Sequence, residues 1–270
     1  MKKLTLILLA FVLVASACKK SDDEDEAKSE FVSKTAEKKV ALLEEFTGVR
    51  CGYCPQGAII AAEIIAEHPG QAIAIGVHGG SYATPYPGDP ELKTPWAAQL
   101  ISFSQLTGFP AGMVNRRDHD NNGKIATGRG GWKGIANTVV TESSPVNIGI
   151  RSKVESGVAK ITVQIYYTAD GGGANLLNVA ITESGIGTKQ SGSSDNPYIH
   201  KHVLRDLVTG QWGKSITSTK KGALQTFELT YKLKSGEVAG ECHVVAFITK
   251  GDHTDVLNAE DTKMVNGETN

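Results

Sequence analysis

A surplus of either charge is missing from this chain: 28 lysines and arginines stand against 29 aspartates and glutamates, for a formal charge of -1. A basic surplus is the electrostatic footprint of nucleic-acid binding, so neither nucleic acid nor a strongly acidic partner is implied. Cysteine is scarce as well, with four in 270 residues, at positions 18, 51, 54 and 242. A structural zinc site takes about four Cys or His ligands, and neither a second C-x-x-C nor an H-x-x-x-H accompanies the first pair. No metal or cofactor is therefore expected. Long apolar runs are also absent: Leu4 to Val14 falls short of the roughly 20 residues that a membrane-spanning helix needs.

The beginning of the chain instead carries Lys2 and Lys3, that short apolar run, and then Ala15-Ser16-Ala17-Cys18, the pattern of a targeting segment. Small residues directly before a cysteine resemble a bacterial lipobox. The resemblance implies a signal peptide over 1–17, cleavage before Cys18, and lipid on that cysteine's sulfur and new amino group. An ordinary secretory signal with an incidental cysteine is the alternative. Residues 18–34 include Ser21-Asp22-Asp23-Glu24-Asp25-Glu26, a charge run that cannot pack and reads as a solvated tether. Acidic residues just after a lipidated cysteine also resemble the surface-export signal of certain Gram-negative lipoproteins.

The stretch that organises the rest is Glu44 to Gln56, with Cys51-Gly52-Tyr53-Cys54 at its centre. Val40 to Phe46 reads as a buried strand that runs into a loop, and a helix is predicted from Cys54 to about His68. Two thiols at a helix start can face each other and form a readily reversible disulfide. Half a zinc site and a plain structural disulfide share the spacing. The helix N-terminus and Arg50 would both favour a thiolate on Cys51, making it the attacking sulfur, while Cys54 would resolve the mixed disulfide.

These residues resemble the thioredoxin superfamily. The resemblance rests on the strand, loop, C-x-x-C, helix order, on Glu45 six residues before Cys51, and on Gly108-Phe109-Pro110. It implies a buried acid, Glu45, that handles the proton of the second thiol, and a cis-proline, Pro110, that faces the dithiol. The Gly52-Tyr53 dipeptide is similar to that of periplasmic disulfide isomerases and reductases. Arg50 replaces the usual aromatic before the first cysteine, and a bulky Phe109 precedes the proline; both bear on substrate preference.

Alternating strand and helix patterns continue through residues 35–143: a second buried strand at Ala72 to His78, a turn-rich loop from Gly79 to Pro95, a helix from Trp96 to Leu106, a strand at Ala111 to Asn115 and a helix from Trp132 to Thr141. Asp118 to Gly123 imitates half a calcium loop, but Arg129 occupies the position where an acid would close it, so a polar turn is expected. Beyond Ser143 the period becomes two. Five runs alternate: Val146 to Ile150, Ile161 to Tyr167, Leu177 to Ile181, Phe227 to Leu233 and Cys242 to Ile248. They predict an antiparallel β-sandwich over 144–270 with one wet face per sheet. His200 and His202 would share one strand face, and a hydrogen-bonded surface strand explains them more simply than a metal does. His78 ends a strand near the dithiol, and Cys242 reads as a buried inert thiol.

Lipobox, acidic tether, an α/β thioredoxin-like domain and an all-β tail with the stretch His200 to Arg205 together resemble the Omp28-related family of outer-membrane lipoproteins. That resemblance implies an envelope protein anchored to the membrane through lipid. Thiol-disulfide exchange on extracytoplasmic proteins is the leading function, with protein disulfides as substrates and a further redox partner. A non-catalytic surface binding protein or adhesin, using the β-sandwich and keeping Cys51-Cys54 as a structural bond, is the alternative.

Overall fold

The apolar run before the dithiol becomes β1 (Ala41–Thr47), in which six of seven residues are buried. Successive strand residues point to opposite faces, so this burial requires layers on both sides. The computed structural model that provides them describes residues 29–266; Cys18 and the acidic run lie outside that range. From Phe31 onward the chain forms one compact unit.

The loop after β1 delivers the chain into α1 (Cys54–Glu67), where Pro55 stands in the first turn, a position where a missing N–H costs nothing. Gly70, at φ +73, then turns it back. β2 (Ala72–His78) runs parallel to β1, with Ala41 opposite Ala72 and Thr47 opposite His78. After α2 (Ala97–Ser104) come β3 (Ala111–Val114), antiparallel to β1, then β4 (Thr127–Gly128) and α3 (Arg129–Val139). The strand order in this part is β2-β1-β3-β4. Helices α1 and α3 cover one face through Ala61, Ile64, Trp132 and Val139. Ala97 and Leu100 of α2 pack on the other, against Phe46, Ile75 and Met113.

The five alternating runs of the second part form β5 (Val146–Glu155), β6 (Val158–Tyr167), β7 (Asn175–Glu183), β12 (Leu224–Lys232) and β13 (Cys242–Lys250). Shorter strands accompany them: β8 (Ile186–Thr188), β9 (Tyr198–His200), β10 (Val203–Leu207), β11 (Lys214–Ser215), β14 (Val256–Lys263) and β15 (Val265–Asn266). One sheet has the order β12-β6-β5-β15. Its inner residues, such as Ile161, Val163 and Ile165, face Leu177, Val179, Ile181, Val244 and Ala246 of β7 and β13 across a dry core.

The expectation of one wet face per sheet fails for β7 and β13. Their sheet continues through β10 into β2, giving the order β14-β13-β7-β10-β2-β1-β3-β4, with β11 on β7. The seam is parallel, Val203 opposite Gly76, and the Gly76 N–H donates to the His202 carbonyl at 2.7 Å. Residues that would have met water, Ala180, Val245 and Phe247, are buried in the same cluster as Leu42, Phe46 and Val77. The result is mostly β, a mixed sheet with smaller sheets beside it.

Candidate functional site

Cys51 and Cys54 are bonded to each other, with Cα atoms 5.4 Å apart, and Cys54 is the first residue of α1. The Cys51 N–H donates to the Gly48 carbonyl at 3.0 Å, which fixes the turn before the helix. Arg50 does not serve the sulfur. Its guanidinium donates to the carbonyls of Thr84 and Pro85 at 2.8 and 2.9 Å and lies over the Tyr86 ring, 4.2 Å from its centroid. Of the two influences expected on Cys51, the helix N-terminus is the one that these contacts leave unengaged.

The adjacent acids of β1 meet opposite fates because a strand sends neighbours to opposite faces. Glu44 receives two bonds from Arg116, at 2.6 and 2.7 Å, in a fully buried fork beneath Phe247. Glu45 points to the α1 side. Among the described residues its Oε1 has no hydrogen-bond partner, and burial pushes its carboxyl up from 4.5 to about 8, so it is protonated at neutral pH.

Gly57, one turn beyond Cys54, brings the elements together. A Cβ there would fall 2.6 Å from Glu45 Oε1 and 3.1 Å from Pro110 Cβ. The absent side chain is thus the space through which the acid and the proline approach the helix. The Phe109-Pro110 peptide bond is cis. Cys51, Cys54, Glu45 and Pro110 therefore converge on the leading end of α1.

A loop from the second part crosses this end. The Gln190 side-chain amide donates to the carbonyls of Cys51 and Gly48 at 3.0 and 3.3 Å, and the Ser191 N–H donates to that of Val49 at 2.8 Å. A Cβ on Gly192, at φ +81, would overlap the Gly52 carbonyl. Cys51 and Cys54 are each only 2% exposed, whereas Tyr53 between them is 65% exposed.

His78 is buried, and desolvation, aided by His200 beside it, lowers its pKa to about 3. His200 is buried too and bonds through Nε2 to Thr188 Oγ1 at 2.8 Å, so it is no surface residue. His202 sits outside the strands at φ +54, so the two histidines do not share a strand face. Cys242 lies in the core, where burial pushes its thiol up to about 12. Asp118 spends both carboxylate oxygens on the N–H groups of Asn122 and Gly123, as a polar turn requires.

Residues 97–268, well over half of the chain, match the family model described as outer membrane protein Omp28. The chain belongs to the Omp28 family. Among solved structures, HBP35 of Porphyromonas gingivalis is similar, at 21% identity and a TM-score of 0.69, over 84% of this chain and 76% of that one. A protein of Agrobacterium tumefaciens is similar at 15% identity and a TM-score of 0.52, over 90% of this chain and 98% of that one. A domain of the outer membrane lipoprotein Omp28 from Porphyromonas gingivalis is 22% identical, with a TM-score of 0.35, over 46% of this chain and 92% of the domain. No curated protein matches. The Omp28 match begins at α2, beyond the segment from Glu44 to Gly57, so it rests on the later strands and not on the dithiol.

Sequence reasoning missed Gln190, Gly192 and Gly57. The first two act on a loop some 140 positions away, and no local pattern announces that. Gly57 did leave a trace, as a glycine inside a helical pattern.

Proposed function

We propose that this Omp28-family protein is an envelope thiol-disulfide exchange protein whose β2-β1-β3-β4 sheet with α1, α2 and α3 is a thioredoxin-like unit. The observation that carries the reading is the convergence on Gly57: a disulfide at the helix start, a neutral unpaired acid and a proline packed against one turn. In the reduced protein, the Cys51 thiolate attacks a sulfur of a substrate disulfide and releases the other substrate sulfur as a thiol. Glu45, having given its own proton to that leaving sulfur, takes the proton of Cys54, whose sulfur then attacks the Cys51 sulfur and frees the second substrate sulfur as a thiolate. The substrate disulfide is reduced and the Cys51-Cys54 bond re-forms. Pro110 and its neighbours hold the substrate strand beside the sulfurs, and a further redox partner returns the pair to its dithiol form. A lipid on Cys18, outside the described residues, would tether the protein to the outer membrane.

A non-catalytic binding protein has one observation in its favour, the cover that Gln190 to Gly192 makes over a pair only 2% exposed. Equilibration with glutathione separates the two. A catalytic pair should lie above about -300 mV, and a structural bond below it. Disulfide reductase activity should vanish in the Cys51→Ala, Cys54→Ala variant; unchanged activity overturns the proposal.

A further inference from the structure

Three cations stand around the dithiol segment, each held by neutral groups. Arg50, next to Cys51, rests on the carbonyls of Thr84 and Pro85 and on the Tyr86 ring. Lys189, next to Gln190, sets its Nζ over the same ring, 4.9 Å from the centroid. Arg129 reaches the segment from α3: its Nη2 donates to Gln56 Oε1 at 2.8 Å, and its guanidinium lies 5.8 Å from the ring centroid of Tyr53, between the cysteines. Among the described residues none of these three forms an ion pair, whereas Arg116, Arg117 and Arg205 each meet a carboxylate.

Asp89 lies on the loop that holds Arg50, and Asp195 on the loop that carries Lys189. The first accepts the Lys189 N–H through Oδ2 at 2.9 Å, so it offsets the lysine and leaves both arginines uncompensated. Asp195 is exposed and pairs with neither arginine.

Stability does not account for these placements. Arg129 is the first residue of α3, where a cation opposes the helix dipole and weakens the helix. Arg50 is exposed and reaches only neutral groups. What both retain is the capacity to donate. A guanidinium carries five N–H groups, of which Arg50 uses two and Arg129 one. Its planar fork matches a carboxylate, and a ring contact already restricts each side chain, so less freedom is lost on binding. Exposed tyrosines complete the surface. Tyr53 and Tyr82 are 65% and 46% exposed, and the Arg50 N–H donates to the Tyr82 carbonyl at 2.8 Å. Tyrosine and arginine are the residues that dominate the centres of binding surfaces.

We propose that Arg50 and Arg129 select the substrate, a polypeptide whose exchanging cysteine is flanked by carboxylates, one for each guanidinium. The assignment rests on the thiol-exchange reading and names the substrate class for it. The substrate disulfide takes two electrons and leaves as two thiols, while Cys51 and Cys54 give them up and close their bond.

Single-turnover oxidation of the reduced full chain at pH 7 tests it. The oxidants are symmetrical disulfides of end-capped Gly-X-Cys-X-Gly peptides with X as Glu, Gln or Lys, each rate being divided by that of the same peptide with dithiothreitol. At an ionic strength of about 0.02 M the Glu peptide should react roughly tenfold faster than the Lys peptide, the product of two exposed ion pairs of a few-fold each. The gap should narrow at about 0.5 M, where screening is strong. Arg50→Gln and Arg129→Gln should each reduce the Glu-to-Lys ratio, and their combination should bring it close to unity. Equal rates for the three peptides, a faster Lys peptide, or an undiminished ratio in the double variant overturns the assignment and leaves exchange intact. If none of the three oxidises the reduced chain, exchange itself has failed and the assignment falls with it. The three-peptide comparison on the unaltered protein decides the question even where a variant does not fold.

Discussion

Replacing Glu45 by Gln should change how stability depends on pH, and the size of the change follows from the burial of one carboxyl. In the native state Glu45 is held at about 8 against an ordinary value of 4.5. The folded protein therefore keeps a proton that the unfolded chain releases. Below about pH 4.5 both states are protonated and burial of the neutral group carries no ionic cost. As pH rises through the window from 4.5 to about 8, unfolding becomes progressively more favourable because only the unfolded carboxyl ionises freely. At 1.36 kcal/mol per pH interval of one, the loss is roughly 3 kcal/mol at pH 7 and approaches roughly 5 kcal/mol above pH 8. Glu45→Gln keeps the shape and removes the ionisation. Denaturant unfolding at pH 5, 6, 7 and 8, with the disulfide intact, should show the variant gaining on the parent by those amounts. A constant offset from altered packing cancels in the comparison. A stability difference that stays flat across the series would refute the reasoning.

Three further outcomes follow from the same surroundings. Gly57→Ala should lower stability by about 1 to 3 kcal/mol despite the helix propensity it adds, because the new methyl meets Glu45 and Pro110; an unchanged denaturation midpoint would mean that the helix has room to move. Arg116→Met should cost about 3 to 5 kcal/mol by stranding Glu44, and Glu44→Leu in the same chain should restore much of it, as thermal unfolding of the single and double variants would reveal. Gln190→Ala should speed reduction of Cys51-Cys54 by dithiothreitol several-fold, since two anchors of the covering loop are lost; an unaltered rate, followed by thiol alkylation, would mean that the loop does not limit access.

Local pattern carried much of the architecture. Val146, Ile148, Ile161, Val163 and their counterparts line one interior because a two-residue period aims every second side chain the same way. The convergence of Cys54 and Glu45 was readable for a related reason, since a strand, a tight loop and a helix start leave few geometries. What escaped was set by distance along the chain. Nothing in Ala180, Val245 or Phe247 says that their side of the sheet meets α2 rather than water, because small apolar residues suit either role until the neighbour is known. Glu44 and Glu45 look alike in sequence, but Arg116, 72 residues on, pairs with the first, while burial alone pushes the carboxyl of the second up to about 8. Arg50 was read by proximity to Cys51, whereas two carbonyls and a ring on the next loop claim it.

The seam at Gly76 and Val203 has a practical implication. A fragment ending at Ser143 would leave β2 as an open margin and strip the floor beneath β1 of Phe247, inviting strand-to-strand association between copies. Expression trials aimed at the dithiol should therefore retain the chain through β14, and a soluble, monomeric fragment lacking it would be the exception.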